Sequence, residues 1–297
     1  MNKLISHKTY TAAFLMCISI AFYGVYTGIQ KQGLAIIQNP FEFAGYTMIY
    51  SSLFLFVPAL SSIKKEPIVV TKKFLAILVT LSLTTQFIAL SLKLFALTFT
   101  TATSVGIVSS FASVILAIYA VIITKESLSK GFWGILTLMC VGLLLFNTEF
   151  SNGVSFTFGT GELLVFLFIN ITSISNAFVK NFTKHYPPAL LSFGRMFFAI
   201  PALLLTAYVT HGLHLEYLFN PFAIGAGFLF AFRNLFYYMA IKLTKLSNIA
   251  IINIFTPVVT FIYAYIFIDE RISFVQTIGF AFITMGAFLH VRDKYTH

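Results

Sequence analysis

The sequence predicts an all-α fold: a polytopic integral membrane protein of ten transmembrane helices, arranged as two inverted five-helix repeats. Three observations predict it. Apolar residues dominate a chain that carries little charge, ten apolar runs of membrane-spanning length follow one another with short connections, and the sequence matches itself at a shift of 144 residues.

Composition sets the solvent. Only 9% of the 297 residues are charged, 59% are hydrophobic and 36 are phenylalanine. A soluble domain carries charge at about a quarter of its positions, and surface-to-volume scaling leaves too much surface facing water to hide this much apolar area. A bilayer supplies the apolar exterior. The net charge of +10 does not mark a nucleic-acid binder, because the lysines stand singly or in pairs between apolar runs instead of forming a basic face. Cys17 and Cys140 both lie inside apolar runs and read as small buried hydrophobes, with no disulfide or metal spacing. The first run is longer than a signal-peptide core and no small-residue cleavage site follows it, so a retained first helix is expected.

About 20 apolar residues span the hydrocarbon as a helix. Such runs cover Tyr10–Ile29, Phe43–Ile63, Phe74–Leu97, Ala102–Ile123, Gly131–Phe146, Leu163–Phe182, Ala189–Val209, Phe222–Ile241, Ile249–Ile268 and Phe274–Val291, the fifth being short. They are apolar throughout, whereas barrel strands alternate, so helices are expected. With the N-terminus inside, ten crossings leave 14 Lys and Arg in the inner segments and 2, Lys31 and Arg271, in the outer loops; Lys93, Arg195 and Arg233 fall within spans. That asymmetry predicts cytoplasmic N- and C-termini.

The 144-residue shift places Ile118-Tyr119-Ala120 on Ile262-Tyr263-Ala264, Glu126 on Glu270, Ser129 on Ser273, Gly142 on Gly286 and Ala96 on Ala240, with no gap from Ala96 to Phe146. The shared Tyr, Glu, Ser and Gly carry the match, since apolar identities recur by chance in membrane spans. The repeat divides the chain into residues 1–148 and 149–297. Each unit has five helices, an odd number, so the second enters the bilayer from the opposite side. Transporters built this way hold substrate near the midplane, between the halves.

The segment Tyr237-Tyr238-x-Ala240 … Thr256-Pro257 … Ile268-Asp269-Glu270-Arg271-Ile272-Ser273, with Gly279 and Gly286, and its first-half counterpart Phe95-Ala96 … Lys125-Glu126-Ser127-Leu128-Ser129 … Gly134 … Gly142, resemble the drug/metabolite transporter superfamily, EamA type. The resemblance covers about residues 10 to 291, and the Glu-x-x-Ser element is its most specific part. It implies ten helices, two EamA-like repeats and transport of a small metabolite. The chain departs from the family pattern at Ser113, where proline is common, at Tyr46 and Thr47, near the place of an arginine that Arg195 matches in the second repeat, and at Tyr23-Gly24, where Trp-Gly is common.

The nine acidic residues all lie at span ends or in loops. This argues against an exporter of cationic drugs that exchanges protons on a buried carboxylate. No phosphate-binding loop is present, so the chain does not itself use ATP. The informative charges are Arg195, about six residues into the seventh span, and Arg233, about eleven into the eighth; rise per residue puts both roughly 10–15 Å from the inner end. Neither has an acidic partner within a span. Each is expected either to bond backbone carbonyls or to line a positive cavity for a carboxylate-bearing solute. Lys93, near the outer end of its span, is expected to snorkel. Asn176, Asn234, Asn253, Tyr23 and Tyr237 complete the candidate substrate site; inter-helix bonding and packing are the ordinary roles of such residues. Tyr26, Tyr50, Tyr238, Gln86 and Asn170 are further polar positions within spans. Glu126 and Glu270 read as helix-start residues favoured by the helix dipole. Gly24-x3-Gly28 permits close helix approach, and His211-x2-His214 has metal-like spacing but no third ligand.

The sequence therefore predicts a secondary transporter of a small polar or amphipathic metabolite, an amino acid or derivative fitting best. No enzymatic role, cofactor or metal is expected, and the bacterial cytoplasmic membrane is the expected location. The expected partners are a small-molecule substrate and the lipid bilayer, with a homodimer left open and no nucleic acid. The rival readings are a broad drug or amine exporter and a non-transporting membrane enzyme or assembly subunit.

Overall fold

The computed structural model describes residues 2–65, 71–125, 131–146, 148–149, 155–156, 159–253, 256–269 and 273–295. Helix α1 (Asn2–Ile36) forms the first span and α2 (Pro40–Lys65) the second. The third is continuous but not uniform: α3 (Lys72–Ser82) runs through a π-helical turn, Leu83–Ala89, into α4 (Leu90–Phe99). Then come α5 (Ala102–Thr124), α6 (Gly131–Phe146) and, after the two-residue strands β1 (Thr148–Glu149) and β2 (Ser155–Phe156), α7 (Thr160–Phe182). The seventh span is broken into α8 (Pro188–Phe197) and α9 (Ile200–His211). The eighth is α10 (Pro221–Leu243), the ninth is described as α11 (Leu246–Asn253) and α12 (Thr256–Phe267), and the tenth is α13 (Phe274–Tyr295).

Seven of the described spans are by themselves long and apolar enough to cross a bilayer; the fifth has 16 residues, the ninth is described in two pieces, and the apolar part of the tenth is short. Large apolar side chains such as Leu53, Val57, Tyr208 and Val209 point outward, as a lipid exterior requires. Helix α1 is longer than its apolar run, so Lys31 belongs to a helix and not to the loop expected of it.

Local chemistry explains the ends and breaks. Asn39 caps α2, accepting from the amides of Phe41 (3.0 Å) and Glu42 (3.4 Å). Glu42, in that first turn, is buried and accepts from the amide of His214 at 2.6 Å and the hydroxyl of Tyr46 at 3.0 Å. Its other oxygen meets His214 Nδ1 at 3.2 Å, so His214 is committed to a carboxylate; among the described residues no cluster of three potential metal ligands exists. The break between α8 and α9 has a covalent cause. Pro201 offers no amide hydrogen, and its ring crowds the carbonyl of Phe197, four residues earlier. The π turn follows threonines: Thr84 and Thr85 return their hydroxyls to the carbonyls of Thr80 (2.8 Å) and Leu81 (2.5 Å), competing with the regular ladder.

Packing obeys the repeat. Exchange each span with the one five later, and the principal neighbour pairs map onto one another. The first span lies on the eighth and the sixth on the third; the fourth lies on the sixth and the ninth on the first; the second lies on the eighth and the seventh on the third. The second and seventh spans pair with each other, as do the fifth and tenth. Three finer details repeat as well. Lys125 and Asp269, 144 apart, are the two non-glycine residues of positive φ among the described residues, at 55° and 56°. Tyr119 reaches α7, bonding Asn170 at 3.4 Å, as its counterpart Tyr263 reaches α1, bonding Gln32 at 2.9 Å. Lys31 Nζ donates to the carbonyls of Leu97 (2.5 Å) and Thr100 (2.9 Å), while Lys180 Nζ donates to those of Ile241 and Thr244, the residues 144 further on.

The two lysine contacts lie on opposite faces. Thr100 bonds Glu162, in the first turn of α7, at 2.6 Å, and Lys180 is 18 residues further along that helix, about 27 Å away by helical rise. The second half is therefore inverted relative to the first. Glu126, Glu270 and Arg271 lie outside the described residues.

Very close helix approach occurs at glycines. A β-carbon at Gly28 would sit 1.9 Å from the Tyr263 ring, and one at Gly142 would sit 2.7 Å from the carbonyl oxygen of Gly279. The Gly24-x3-Gly28 pair thus seats α12 on α1, and Gly142 seats α13 on α6.

Candidate functional site

A partly enclosed cavity lies between the two halves, with about 750 Å³ of empty space including its mouth. It is lined from the first, third, fourth, sixth, seventh, eighth and ninth spans. Its walls straddle the repeat. Gln86 and Phe230, Leu90 and Asn234, Lys93 and Tyr237, Ser109 and Asn253, Ala112 and Thr256 are five pairs of residues 144 apart, and both members of every pair line the cavity.

All seven residues of the candidate site, Tyr23, Asn176, Arg195, Arg233, Asn234, Tyr237 and Asn253, face this one cavity. Arg195, in the last turn of α8, is buried. Its Nη2 donates to Thr85 at 2.5 Å, and its own carbonyl accepts from Ser82, also at 2.5 Å. The π turn thus presents Thr85 to the arginine. The guanidinium lies 5.2 Å from the centre of the Tyr238 ring, and its Nε and Nη1 have no hydrogen-bond partner among the described residues.

Arg233 lies half-way along α10. Its Nη1 donates to the side-chain oxygen of Asn234 at 3.1 Å, and Asn234 in turn donates to the carbonyl of Phe230 at 2.8 Å. The guanidinium sits between aromatic faces, 4.6 Å from the Tyr23 ring centre and 4.9 Å from that of Tyr237. Its Nε is buried without a partner among the described residues. Ser19, on α1, donates to the Arg233 carbonyl at 3.0 Å and ties the two helices at this level. Asn253 ends α11, and its carbonyl accepts from Thr256 at 2.6 Å.

Lys93 departs from expectation. It does not snorkel: it is 1% exposed and lines the cavity. Its ammonium donates to Thr27 at 3.0 Å and lies 4.5 Å and 4.9 Å from the ring centres of Tyr23 and Tyr26. The signal was present in the repeat, because Lys93 occupies the position of Tyr237. Asn170 faces away, bonding the carbonyl of Phe166 at 2.8 Å, and Tyr50 bonds the carbonyl of Leu218 at 2.9 Å; neither lines the cavity.

Among the described residues, the cavity wall thus holds three cations and no acidic side chain. A polar cavity at the junction of two inverted helical halves is the architecture of a membrane transport protein. The EamA-like transporter family model matches residues 10–148 and again 159–292, and the chain belongs to that family. No curated protein matches it in sequence. A crystal structure of another protein, 13% identical, superposes with a TM-score of 0.69 over 95% of this chain and 98% of that one, and so shows the fold alone.

Proposed function

We propose that this chain is a secondary transporter, and that its cavity binds a small polar or amphipathic metabolite bearing a carboxylate, the class to which amino acids and their derivatives belong. Binding alternates between the two faces of the membrane, the bacterial cytoplasmic membrane with both termini inside. The observation that carries the reading is the set of buried guanidinium nitrogens without a hydrogen-bond partner among the described residues, Nε and Nη1 of Arg195 and Nε of Arg233, in a cavity whose described wall holds no acid. A guanidinium holds a carboxylate through two parallel hydrogen bonds, a geometry that lysine does not copy. An exporter of cationic drugs or amines would meet like charge at every wall position that carries charge. A membrane enzyme needs clustered acids or histidines on one cavity, and none line this one among the described residues. Inverted halves of matching packing give inward- and outward-facing states comparable energies, which supports alternating access.

The test is substrate affinity beside thermal stability for Arg233→Lys and Arg233→Gln. Loss of charge-assisted hydrogen bonds worth about 1.5–3 kcal/mol weakens carboxylate binding roughly 10- to 100-fold, with the melting temperature nearly unchanged. Unchanged affinity in both variants removes Arg233 from the site.

A further inference from the structure

The geometry points to a more particular ligand: a small dianion, with two carboxylates on one short skeleton, whose second carboxylate is held by Lys93. This rests on the carboxylate reading above and narrows it by charge.

The argument begins with the count of charges. Arg195, Arg233 and Lys93 all face one cavity, and none of its described lining residues is acidic. A single carboxylate neutralises one of the three. A zwitterion brings, in addition, an ammonium with no carboxylate in the wall to receive it, so its positive end is repelled. Two anionic groups on one molecule meet two of the cations directly, and no unfavourable charge enters with them.

Position supports the same conclusion. Lys93 and Arg233 approach one ring, Tyr23, at 4.5 Å and 4.6 Å from its centre, so the two cations are no more than about 9 Å apart. A skeleton of four or five carbons carries two carboxylates that reach both. Lys93 is held for this role and is not merely stored. Its ammonium has three hydrogens, and Thr27 takes one at 3.0 Å. The faces of Tyr23 and Tyr26 offset part of its desolvation without neutralising it. Thr27 itself is anchored to the carbonyl of Tyr23 at 3.1 Å, which fixes the oxygen that orients the lysine. At the equivalent position of the second half stands Tyr237, a neutral hydroxyl. The two ends of the cavity therefore differ, and a ligand with two unlike ends would enter in one orientation.

The experiment measures binding to the full-length protein in detergent, by titration calorimetry, with four probes: succinate, glutarate, butyrate and alanine. Wild-type protein is expected to bind succinate or glutarate at least tenfold more tightly than butyrate or alanine. Whichever dianion binds more tightly fixes the spacing of the two carboxylates. Lys93→Met should bring the preferred dianion down to the affinity of butyrate and leave butyrate within about twofold, while Lys93→Arg restores part of the preference. If butyrate or alanine binds wild-type protein as tightly as either dianion, the dianion proposal is overturned and the carboxylate reading stands. Equal weakening of mono- and dianion by Lys93→Met overturns it too, because the lysine then acts on the site as a whole. If none of the four probes binds, the carboxylate reading falls and the dianion proposal with it. The comparison among probes on wild-type protein decides the matter even where a Lys93 variant does not fold.

Discussion

Replacing Lys31 or Lys180 by methionine tests the inverted symmetry at the level of single bonds. Each lysine sends its ammonium to two carbonyls at the C-terminal end of another span, Leu97 and Thr100 for one, Ile241 and Thr244 for the other. Those carbonyls belong to the set that every helix leaves unsatisfied at its end, and a cation there also meets the negative end of the helix dipole. A hydrogen bond to a charged group contributes about 1.5–3 kcal/mol, and a freed carbonyl in a half-buried setting regains part of that from other donors. Each substitution should therefore remove about 3 kcal/mol. At roughly 2–4 °C per kcal/mol, that lowers the apparent melting temperature by about 6–12 °C. The assay is loss of the monodisperse peak on size-exclusion chromatography after heating the detergent-solubilised protein. Lys31→Arg and Lys180→Arg keep the charge and should recover much of the loss. The central expectation is parity: the acceptors of the two lysines are equivalent by a shift of 144, so the two methionine variants should fall together. A large drop in one with the other melting as wild type would refute the equivalence.

Two further outcomes follow from the close glycine approach and the placement of acids. Gly28→Val should destabilise the protein by about 3 kcal/mol or more through overpacking against Tyr263, whereas Gly134→Ala, with open space around it, should melt as wild type. Glu126→Gln and Glu270→Gln, which remove carboxylates at span ends, should keep measurable uptake in proteoliposomes; complete loss in a normally folded variant would show that one of them carries protons.

The number, order and inversion of the spans were legible because each rests on a long-range regularity: apolar runs of fixed minimum length, lysines in alternate connections, and one self-match that needs no gap. The break in the seventh span was legible in principle at Pro201, whose missing amide hydrogen is a covalent fact. The π turn was not. Thr84 and Thr85 also occur in regular helices, and nothing in composition says which hydroxyl will displace a ladder bond. Lys31 was misplaced because its apolar run stops before its helix does: α1 continues to Ile36, and the charge is satisfied by carbonyls of another span, which local sequence does not reveal. Lys93 was misjudged for a related reason. Distance to the end of the span suggested snorkelling, but the direction of a side chain is set by helix face, and position 93 is the repeat equivalent of Tyr237, which faces the cavity.

The symmetry of the scaffold and the asymmetry of the cavity are separable, and the separation assigns their roles. Features that repeat are the ones that would govern motion: span neighbours, the left-handed residues Lys125 and Asp269, and the lysine-capped helix ends. They are paired across the inverted halves, so under the proposed alternating access each interaction that opens on one face has a like interaction to close on the other. Features that do not repeat are the ones that would recognise a ligand. Arg233 stands where the first half has Ala89, Lys93 where the second has Tyr237, and Arg195 near the place where the first has Tyr46 and Thr47. A symmetric cavity with charges at both equivalent positions would bind a ligand equally well in two orientations and hold six cations in place of three. Drawing each cation from only one half keeps the cavity wall at three cations and gives it a direction. Under the proposed function, positions 93 and 233 are therefore the ones at which a change of residue would alter the charge offered to a ligand while leaving the paired, repeated contacts of the scaffold in place.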